Sequence, residues 1–351
     1  MDNPSGRPDR VDAPPYSCAV INYNGADYVL RTLASILSQE PPPAEVILVD
    51  DGSTDGGPDL VAAAYPDVRI VRLPQNTGRT SVVRNAGLAA ARHRFVLISD
   101  NDVTFAPGAV HRMQAVLAER ADAAACTPVV LFDDGSGQIC NRSHNLHFLC
   151  WSQDSSMDHA TLRARGPVRG IGCGIQLLDR DRLGEVGGYD EDFVIGWGDD
   201  GELHHRMMIA GRACYSVPDA VVYHARIRGT PRYYGQIRNR LLILFKMYRL
   251  RTLILLAPLL IPFEAVLIGF LWIAGGLGDY GRAVRDVWGL RRGIGADRRR
   301  IAATRRVGDG RVLHAGRLTV PVRRSGPALR RLVRGASRVL AGYWCAVGRF
   351  A

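Results

Sequence analysis

The segment FVLISDNDVTF, residues 95–105, joins an apolar run to two aspartates that flank an asparagine. Four of its first five residues are apolar, which indicates a buried β-strand. Asp100, Asn101 and Asp102 come at its end, where two carboxylates need a compensating cation if they are buried. The segment could be a solvated turn, since Asp and Asn favour turns. It could also hold a hard divalent cation, with phosphate oxygens completing the ligand shell.

Short β-like runs alternate with helical patterns from residue 17 to about residue 130. This alternation predicts a mostly parallel sheet with helices on both faces, in which ligands bind beyond the carboxyl ends of the strands. Asp50 and Asp51 end the second strand, so both acidic pairs lie at that edge. The predicted strands are 17–22, 45–50, 69–73 and 94–99, and the predicted helices between them are 27–39 and 79–92.

The positive charge of the chain is concentrated in its C-terminal part. The 351 residues carry a net charge of +11, yet residues 277–351 contain 18 arginines and four aspartates, a net charge of +14. The remaining residues therefore carry −3. An Arg-rich tail is compatible with nucleic-acid binding, but the sequence contains no recognition motif for it. We expect no nucleic-acid partner.

Polar segments follow the other predicted strands as well. Asp51 could accept a hydrogen bond from a nucleotide base. Arg79 and Arg84 come near the start of a helix, where cationic side chains and free N–H groups can meet a diphosphate. The three segments are INYNGADY (21–28), VDDGSTDGG (49–57) and NTGRTSVVRNAG (76–87).

In this order and spacing, these segments resemble family-2 glycosyltransferases of the GT-A fold, a Rossmann-like α/β fold. The resemblance covers about residues 17–228. It implies an inverting transfer of a sugar from a nucleoside-diphosphate sugar to an acceptor hydroxyl, as in rhamnosyltransferases and galactofuranosyltransferases. Asn101 could point outward or toward the ribose. The residues assigned to the donor are Tyr23, Asn24, Asp51, Arg79, Arg84, Asp100 and Asn101.

The resemblance also implies a site for Mn²⁺ or Mg²⁺. The family's D-x-D motif, which binds the metal and the sugar-nucleotide diphosphate, matches Asp100 and Asp102. His224 lies in the predicted strand VVYHA, residues 221–225. Several relatives have a histidine at the end of this strand that completes the metal shell, and imidazole suits Mn²⁺ better than Mg²⁺. Without that context, His224 would be an ordinary core or surface residue.

The stretch VGGYDEDFVIGWGDDGELHHRMMIAG, residues 186–211, is similar to the acceptor-side motif of the family. The alignment gives Asp200 the place of the catalytic base and puts Asp199 and Glu202 beside it. Transfer to a hydroxyl requires a carboxylate that accepts its proton, and a helix start favours the charged form. Asp199 could exchange roles with Asp200. The residues assigned to the acceptor are Trp197, which could instead pack in the core, and Gly172.

The segment TLILLAPLLIPFEAVLIGFLWIA, residues 252–274, carries one charge in 23 residues and is long enough to cross a bilayer. The catalytic domain and the Arg-rich tail are both expected on the cytoplasmic side. We therefore expect the segment to enter the membrane and return, with a break at Pro258 and Pro262, or to form two half-helices in the interface. A soluble hairpin is the alternative. The basic and aromatic residues 232–251 suit an anionic membrane surface, and relatives with such regions often act on lipid-linked acceptors.

These patterns predict a protein on the cytoplasmic face of a membrane. The N-terminal leader, residues 1–16, has no apolar stretch of the kind that a secretory signal contains.

A sugar nucleotidyltransferase is a weaker alternative, because the Gly-rich loop that such enzymes need is not present after the first strand. A non-catalytic sugar-nucleotide-binding or scaffold protein is disfavoured because every acidic position is filled. The predicted parts are a flexible leader (1–16), a nucleotide-sugar-binding half (17–130), an acceptor-binding half (131–234), apolar membrane-associating helices (235–276) and an Arg-rich tail (277–351).

Overall fold

The computed structural model describes residues 13–141, 144–154, 158–170, 172–195, 198–225, 233–316 and 327–351. Its strands are β1 (Tyr16–Asn22), β2 (Glu45–Asp50), β3 (Arg69–Arg72), β4 (Phe95–Asp100), β5 (Val103–Phe105), β6 (Ala123–Phe132), β7 (Ile139–Asn141), β8 (His144–His147), β9 (Trp151–Asp154), β10 (Val168–Arg169), β11 (Gln176–Asp179) and β12 (Ala213–His224).

The helices divide into those that flank the sheet and those that follow it. The first seven are α1 (Val29–Leu37), α2 (Gly57–Ala64), α3 (Thr80–Ala90), α4 (Ala109–Glu119), α5 (His159–Arg165), α6 (Arg180–Leu183) and α7 (Gly201–Ile209). The C-terminal ones are α8 (Tyr233–Met247), α9 (Leu250–Ile273), α10 (Leu277–Gly289), α11 (Arg291–Thr304) and α12 (Pro327–Val347), with 3₁₀ turns at Asp309–Arg311 and Gly348–Phe350.

One large sheet organises the N-terminal part of the molecule. Its strand order is β10-β12-β6-β11-β4-β1-β2-β3, with β5 added to β12 and β7 added to β6. The predicted parallel arrangement is confirmed for β1 to β4, whose neighbours all run in the same direction. Beyond β4 the sheet is mixed, because β11 runs antiparallel to both β4 and β6 while β12 is parallel to β6.

The strand register explains where polar groups collect. Asn22 is paired with Asp50 of β2, and Ile21 is paired with Asp100 of β4. Three adjacent parallel strands thus end at the same level, and their polar termini share one edge of the sheet. The proposed division at residue 130 falls inside β6, so both predicted halves contribute to a single sheet.

The C-terminal helices build a second hydrophobic core against α7 and the β8–β9 hairpin. The break expected at Pro258 and Pro262 is wrong, since α9 runs through both prolines as one helix of 24 residues. Within the part of the chain that the structure describes, α9 is the one helix long and apolar enough to cross a membrane. It is also almost uncovered, with 6% of its most apolar window buried, which disfavours the soluble-hairpin alternative.

Candidate active site

Asn22 fixes the ends of the three parallel strands relative to one another. Its Nδ2 donates to Oδ1 of Asp50 at 2.9 Å, and its Oδ1 accepts from Nδ2 of Asn101 at 2.7 Å. The side chain of Asn101, predicted to point outward or toward a ribose, therefore turns inward to β1. Gly25 permits this approach, because a Cβ there would lie 1.9 Å from Nδ2 of Asn101. The sequence analysis did not single out Asn22, although it ends the first strand with a polar residue.

Asp51 lies beneath a loop that precedes α3. Its carboxylate accepts from the backbone N–H of Thr77 at 3.0 Å and from the Thr77 hydroxyl at 3.2 Å. Burial raises the pKa of Asp51, and these two hydrogen bonds oppose that rise. Beside it, Tyr23 is half exposed, while Asn24 accepts from the backbone N–H of Thr54 at 2.9 Å. The predicted nucleotide-side residues thus line one rim of the sheet edge.

Arg84 joins the two acidic clusters that the sequence analysis treated separately. It is 4% exposed, and its Nη2 lies 3.7 Å from Asp100 while its Nη1 lies 3.5 Å from Asp199. The guanidinium also lies over the ring of Tyr189, 5.5 Å from the ring centroid. The D-N-D end of β4 and the acidic start of α7, about a hundred residues apart in sequence, therefore share one buried cation.

Gly174 is a residue of this site that the sequence analysis missed. A Cβ at this position would come 2.4 Å from Nη2 of Arg84 and 3.7 Å from Oδ2 of Asp100. A side chain there would displace the guanidinium, so glycine is needed for the bridge. The signal in the sequence was GCG at residues 172–174, just before the apolar run that forms β11.

Asp199 and Asp200 differ in accessibility. Oδ2 of Asp199 accepts from the hydroxyl of Thr80 at 2.6 Å and faces Arg84, and the residue is 9% exposed. Burial raises the pKa of Asp199 to about 6; Arg84 opposes that rise, and nearby Asp200 adds to it. Asp200 caps α7, accepting from the N–H of Gly201 at 2.7 Å, and remains partly exposed. Of the two, Asp200 is the carboxylate with room for a further partner.

Asp102 and His224 meet on the other side of Asp100. Nε2 of His224 lies 3.3 Å from Oδ2 of Asp102, and Nδ1 lies 2.6 Å from the carbonyl oxygen of Ala225. The hydrogen bond to Asp102, the largest cause, raises the pKa of His224 to about 9. An Nδ1–H donated to a carbonyl leaves Nε2 as the nitrogen for a metal, the usual arrangement of ligating histidines. Two carboxylates and one imidazole match Mn²⁺ or Mg²⁺ in donor chemistry. The ligand atoms of Asp100, Asp102 and His224 do not all lie within 4.8 Å of one another, so a metal would have to draw these side chains together.

The sequence profile of glycosyl transferase family 2 matches residues 17–181. These residues form a domain of that family. Among curated relatives, succinoglycan biosynthesis protein ExoO of Rhizobium meliloti is 43% identical over 119 residues, 33% of each chain. N-acetylglucosaminyl-diphospho-decaprenol L-rhamnosyltransferase of Mycobacterium tuberculosis is 26% identical over 236 residues, which are 60% of this chain and 76% of that one.

A solved structure agrees on the fold. GalNAc-T7 in complex with UDP, GalNAc and Mn²⁺ superimposes with a TM-score of 0.56 at 16% identity, covering 68% of this chain and 49% of the other. The family-2 domain therefore has the predicted GT-A fold. The match spans about a third of the length of ExoO and about half that of GalNAc-T7.

Glu202 forms a buried ion pair with Arg206 in α7. Its two oxygens accept from Nε and Nη2 of Arg206, the latter at 2.9 Å, and Glu202 is fully buried. Arg206 also donates to the carbonyl oxygens of Val186 and Gly188. This arrangement favours a role for Glu202 in holding the GGYDED loop over the catalytic role that the alignment predicted.

Lys246, the only lysine in the chain, ties the same loop to the C-terminal helices. Its Nζ lies 2.6 Å from Asp190, 2.6 Å from Asp192 and 2.7 Å from Asp297. Within the described residues these aspartates are the one group of three acidic or metal-binding side chains spaced for a metal ion. Because an ammonium with three donors fills the space between them, we interpret the group as an ion-pair cluster and not as a metal site.

The remaining predicted residues lie apart from the carboxylates. Gly172 is buried, and its N–H donates to Nδ1 of His204 at 3.1 Å; a Cβ there would come 2.3 Å from the Thr127 side chain. Arg79 is exposed at the start of α3 and donates to the carbonyl oxygen of Glu191 at 3.2 Å. Trp197 lies outside the described residues.

Proposed function

We propose that the chain is an inverting, metal-dependent glycosyltransferase that moves a sugar from a nucleoside-diphosphate sugar to an acceptor hydroxyl. The observation that carries the proposal is the Arg84 bridge. Because one guanidinium faces both Asp100 and Asp199, the donor-side and acceptor-side carboxylates belong to a single site. Direct displacement needs this closeness, since the acceptor oxygen must attack the sugar carbon while the diphosphate leaves from the opposite face.

The donor would lie along the edge formed by β1, β2 and β4. Asp51 and Tyr23 are suited to the nucleotide end, and Asp100, Asp102 and His224 to Mn²⁺ or Mg²⁺ at the diphosphate. A metal bound there supplies Lewis-acid stabilisation of charge on the leaving diphosphate. Arg84 adds a fixed cation beside the same carboxylates. Burial raises the pKa of Asp100, and its pairing with Arg84 opposes that rise.

Asp200 would act as the general base. It accepts one N–H at the start of α7, and it keeps exposed surface for an acceptor. Asp199 is already engaged by Thr80 and Arg84. The proton of the acceptor hydroxyl passes to Asp200 as the oxygen attacks, so no covalent sugar–enzyme intermediate is required.

The proposal extends to the acceptor and to the place where the protein works. A mycobacterial relative is named as a rhamnosyltransferase of N-acetylglucosaminyl-diphospho-decaprenol, and two other relatives are named for the biosynthesis of succinoglycan and of teichuronic acid. We propose a glycan or lipid-linked acceptor of the cell envelope, used at the cytoplasmic face of a membrane, where nucleotide sugars are available.

A screen of nucleotide sugars tests the proposal. The purified full chain is incubated with each donor in the presence of Mn²⁺, Mg²⁺ or chelator, and nucleotide release is recorded. Release from at least one donor that requires the cation supports the proposal. Tight donor binding without turnover on any donor, with or without acceptor extracts, would favour a sugar-nucleotide-binding protein instead. Pyrophosphate-dependent formation of nucleoside triphosphate would indicate a sugar nucleotidyltransferase.

A further inference from the structure

The outward face of α9 is a continuous apolar surface with nothing from the described chain covering it. No charged side chain lies on this face between Ile254 and Ile273, because the one acidic residue of the helix, Glu264, points into the body. Large exposed apolar patches on a folded protein mark interaction sites. The exposed fractions are 64% for Ile254, 69% for Ile261, 72% for Val266, 74% for Trp272 and 87% for Ile273.

Both ends of α9 are attached to the same body. At its start, the N–H of Arg249 donates to Asp309 at 2.8 Å. The chain just before Asp309 is bound in turn to the catalytic domain, since the N–H groups of Arg306 and Val307 donate to the carbonyl oxygen of Ile209 in α7. At its other end, Phe270 packs edge-on against Tyr233, the first residue of α8, with ring centroids 6.4 Å apart.

The middle of α9 is attached as well, so the helix runs back along α8. Glu264 accepts from Arg240 of α8 at 2.7 Å and from the Tyr280 hydroxyl at 2.9 Å. Helix α8 is itself held to the acceptor-side loop, where Asn239 pairs with the backbone of Val194. A bilayer-spanning orientation of α9 would therefore carry charged parts of the catalytic domain into the hydrocarbon region, at high cost.

We infer that α9 lies flat in the surface of an anionic membrane, with its outward face among the acyl chains and the catalytic domain held above. An in-plane helix of this kind sinks by about 5–10 Å into the boundary between headgroups and chains. Charge complementarity selects the partner: Ile261 of α9 lines the same open groove as Trp288 and Arg291, and Arg291 lies over the Trp288 ring at 5.3 Å. Such Trp–Arg pairs suit the headgroup level and anionic lipids.

This geometry removes the topological conflict without a break in the helix. The catalytic domain and the Arg-rich tail stay on one side because α9 never crosses. It also goes beyond the proposed chemistry, because it concerns where the protein sits and not what it transfers. Its test needs no enzyme activity, so a failure here leaves the proposed transferase function untouched.

Vesicle binding is the first part of the test. The full chain is mixed with vesicles of neutral phosphatidylcholine, with and without anionic phosphatidylglycerol, and the vesicles are sedimented. Ile254→Glu and Ile261→Glu should each weaken binding by about tenfold or more, since each places a charge in the acyl region. Leu60→Glu, at an exposed leucine of α2, is the matched control and should bind like the unaltered chain. Binding should be stronger with the anionic lipid and should weaken as salt is added.

Depth measurements separate lying flat from crossing. Spin labels are placed on single cysteines at Ile254, Ile261 and Trp272, which share one side of the helix, in a chain whose two exposed cysteines are serine. A flat helix predicts equal depths for all three. A crossing helix predicts that position 261 lies deeper than position 254 by about 10 Å, from seven residues at about 1.5 Å each, and would overturn the inference. Failure of the chain to bind vesicles would also overturn the inference. One such result would be a dimer in solution that forms through α9 and that Ile261→Glu dissociates.

Discussion

Replacement of Arg84 by methionine should destabilise the protein strongly, and in a pH-dependent manner. The substitution keeps the apolar stem of the side chain but removes the charge that Asp100 and Asp199 face at 3.7 Å and 3.5 Å. Arg79, five residues earlier at the N-cap of α3, is exposed and donates to a backbone carbonyl oxygen. Arg79→Met is therefore the matched control for loss of an arginine at this sheet edge.

The magnitude follows from the burial of the pair. At an effective dielectric constant of about 20, unit charges about 3.6 Å apart attract by roughly 4–5 kcal/mol, and the desolvation of Arg84 offsets part of this. Removal of one partner from a buried pair costs about 3–5 kcal/mol. We expect a loss in that range for Arg84→Met at pH 8, against less than about 0.5 kcal/mol for Arg79→Met.

Acidification should reduce the penalty. The pKa of Asp199 in the folded protein is already about 6, above its ordinary value, and the loss of Arg84 raises it further. A carboxyl with a raised folded pKa binds its proton more readily in the folded state, so its folded state gains stability as the pH falls through that value. Between pH 8 and pH 5.5 the difference between Arg84→Met and the unaltered chain should shrink by about 1 kcal/mol or more.

Urea unfolding of the full chain in mild detergent, followed by tryptophan fluorescence at both pH values, measures these quantities. The reasoning is refuted if Arg84→Met and Arg79→Met unfold at the same urea concentration at pH 8. It is also refuted if the penalty of Arg84→Met is as large at pH 5.5 as at pH 8, since the uncompensated carboxylates would then not be its cause.

Three further outcomes are expected. Gly174→Ala should raise the donor KM by about tenfold or more, because the added Cβ displaces the Arg84 guanidinium. The control is Gly278→Ala, which adds a Cβ in open space and should leave the donor KM unchanged. Lys246→Met should lower the free energy of unfolding by about 3–5 kcal/mol. Lys246→Arg should not restore it, because the planar guanidinium of arginine cannot direct one donor to each of the three carboxylates. Equal urea midpoints for Lys246→Arg and the unaltered chain would contradict this. Burial lowers the pKa of His205 to about 4, so the unfolded chain binds the proton more readily than the folded protein does. The free energy of unfolding should therefore fall by about 1 kcal/mol from pH 7.5 to pH 5.5 because of this residue. His205→Phe should remove that part of the pH dependence, as measured by urea unfolding at the two pH values.

The parallel half of the sheet was predictable because its pattern is local. Apolar runs such as residues 45–50 alternate with segments whose apolar residues recur at helical spacing. Polar residues at the ends of parallel strands then collect at one edge of the sheet, whatever the details of packing. The D-N-D stretch was therefore correctly taken as the end of a buried strand. The mixed half was less predictable, since the direction of β11 depends on a chain reversal of about forty residues that no short-range pattern encodes.

The site itself was predicted as separate motifs, and the contacts between them were not. Arg84 was expected to meet a diphosphate, and nothing in its sequence neighbourhood indicates that Asp199 would lie 3.5 Å away. The acidic run DDGEL was interpreted as a catalytic base, Asp200, with Asp199 and Glu202 beside it in the site. Helix geometry instead points Glu202 inward to Arg206, four residues later. Lys246 could have been noticed as the only lysine among 45 basic residues, but its three partners come from two distant segments.

The two prolines of α9 illustrate a different limit. Pro258 and Pro262 were expected to break the helix, because proline removes a backbone hydrogen bond and crowds the preceding turn. The helix continues because contacts along its length, from Asp309 to Tyr233, hold it in place. Tertiary contacts therefore outweighed a local rule, and the expected returning segment or pair of half-helices is a single helix of 24 residues on the surface of the protein.

The comparison of Asp200→Asn with Asp199→Asn tests the central claim most directly. Donor affinity is measured by calorimetry, and transfer is measured with a donor and acceptor on which the unaltered chain is active. The account predicts that Asp200→Asn binds the donor almost normally while transfer falls by about a thousandfold or more, as expected for loss of a general base. Asp199→Asn should lose less transfer and should alter donor binding, because it releases Arg84. Transfer by Asp200→Asn at a rate comparable to the unaltered chain would contradict the account.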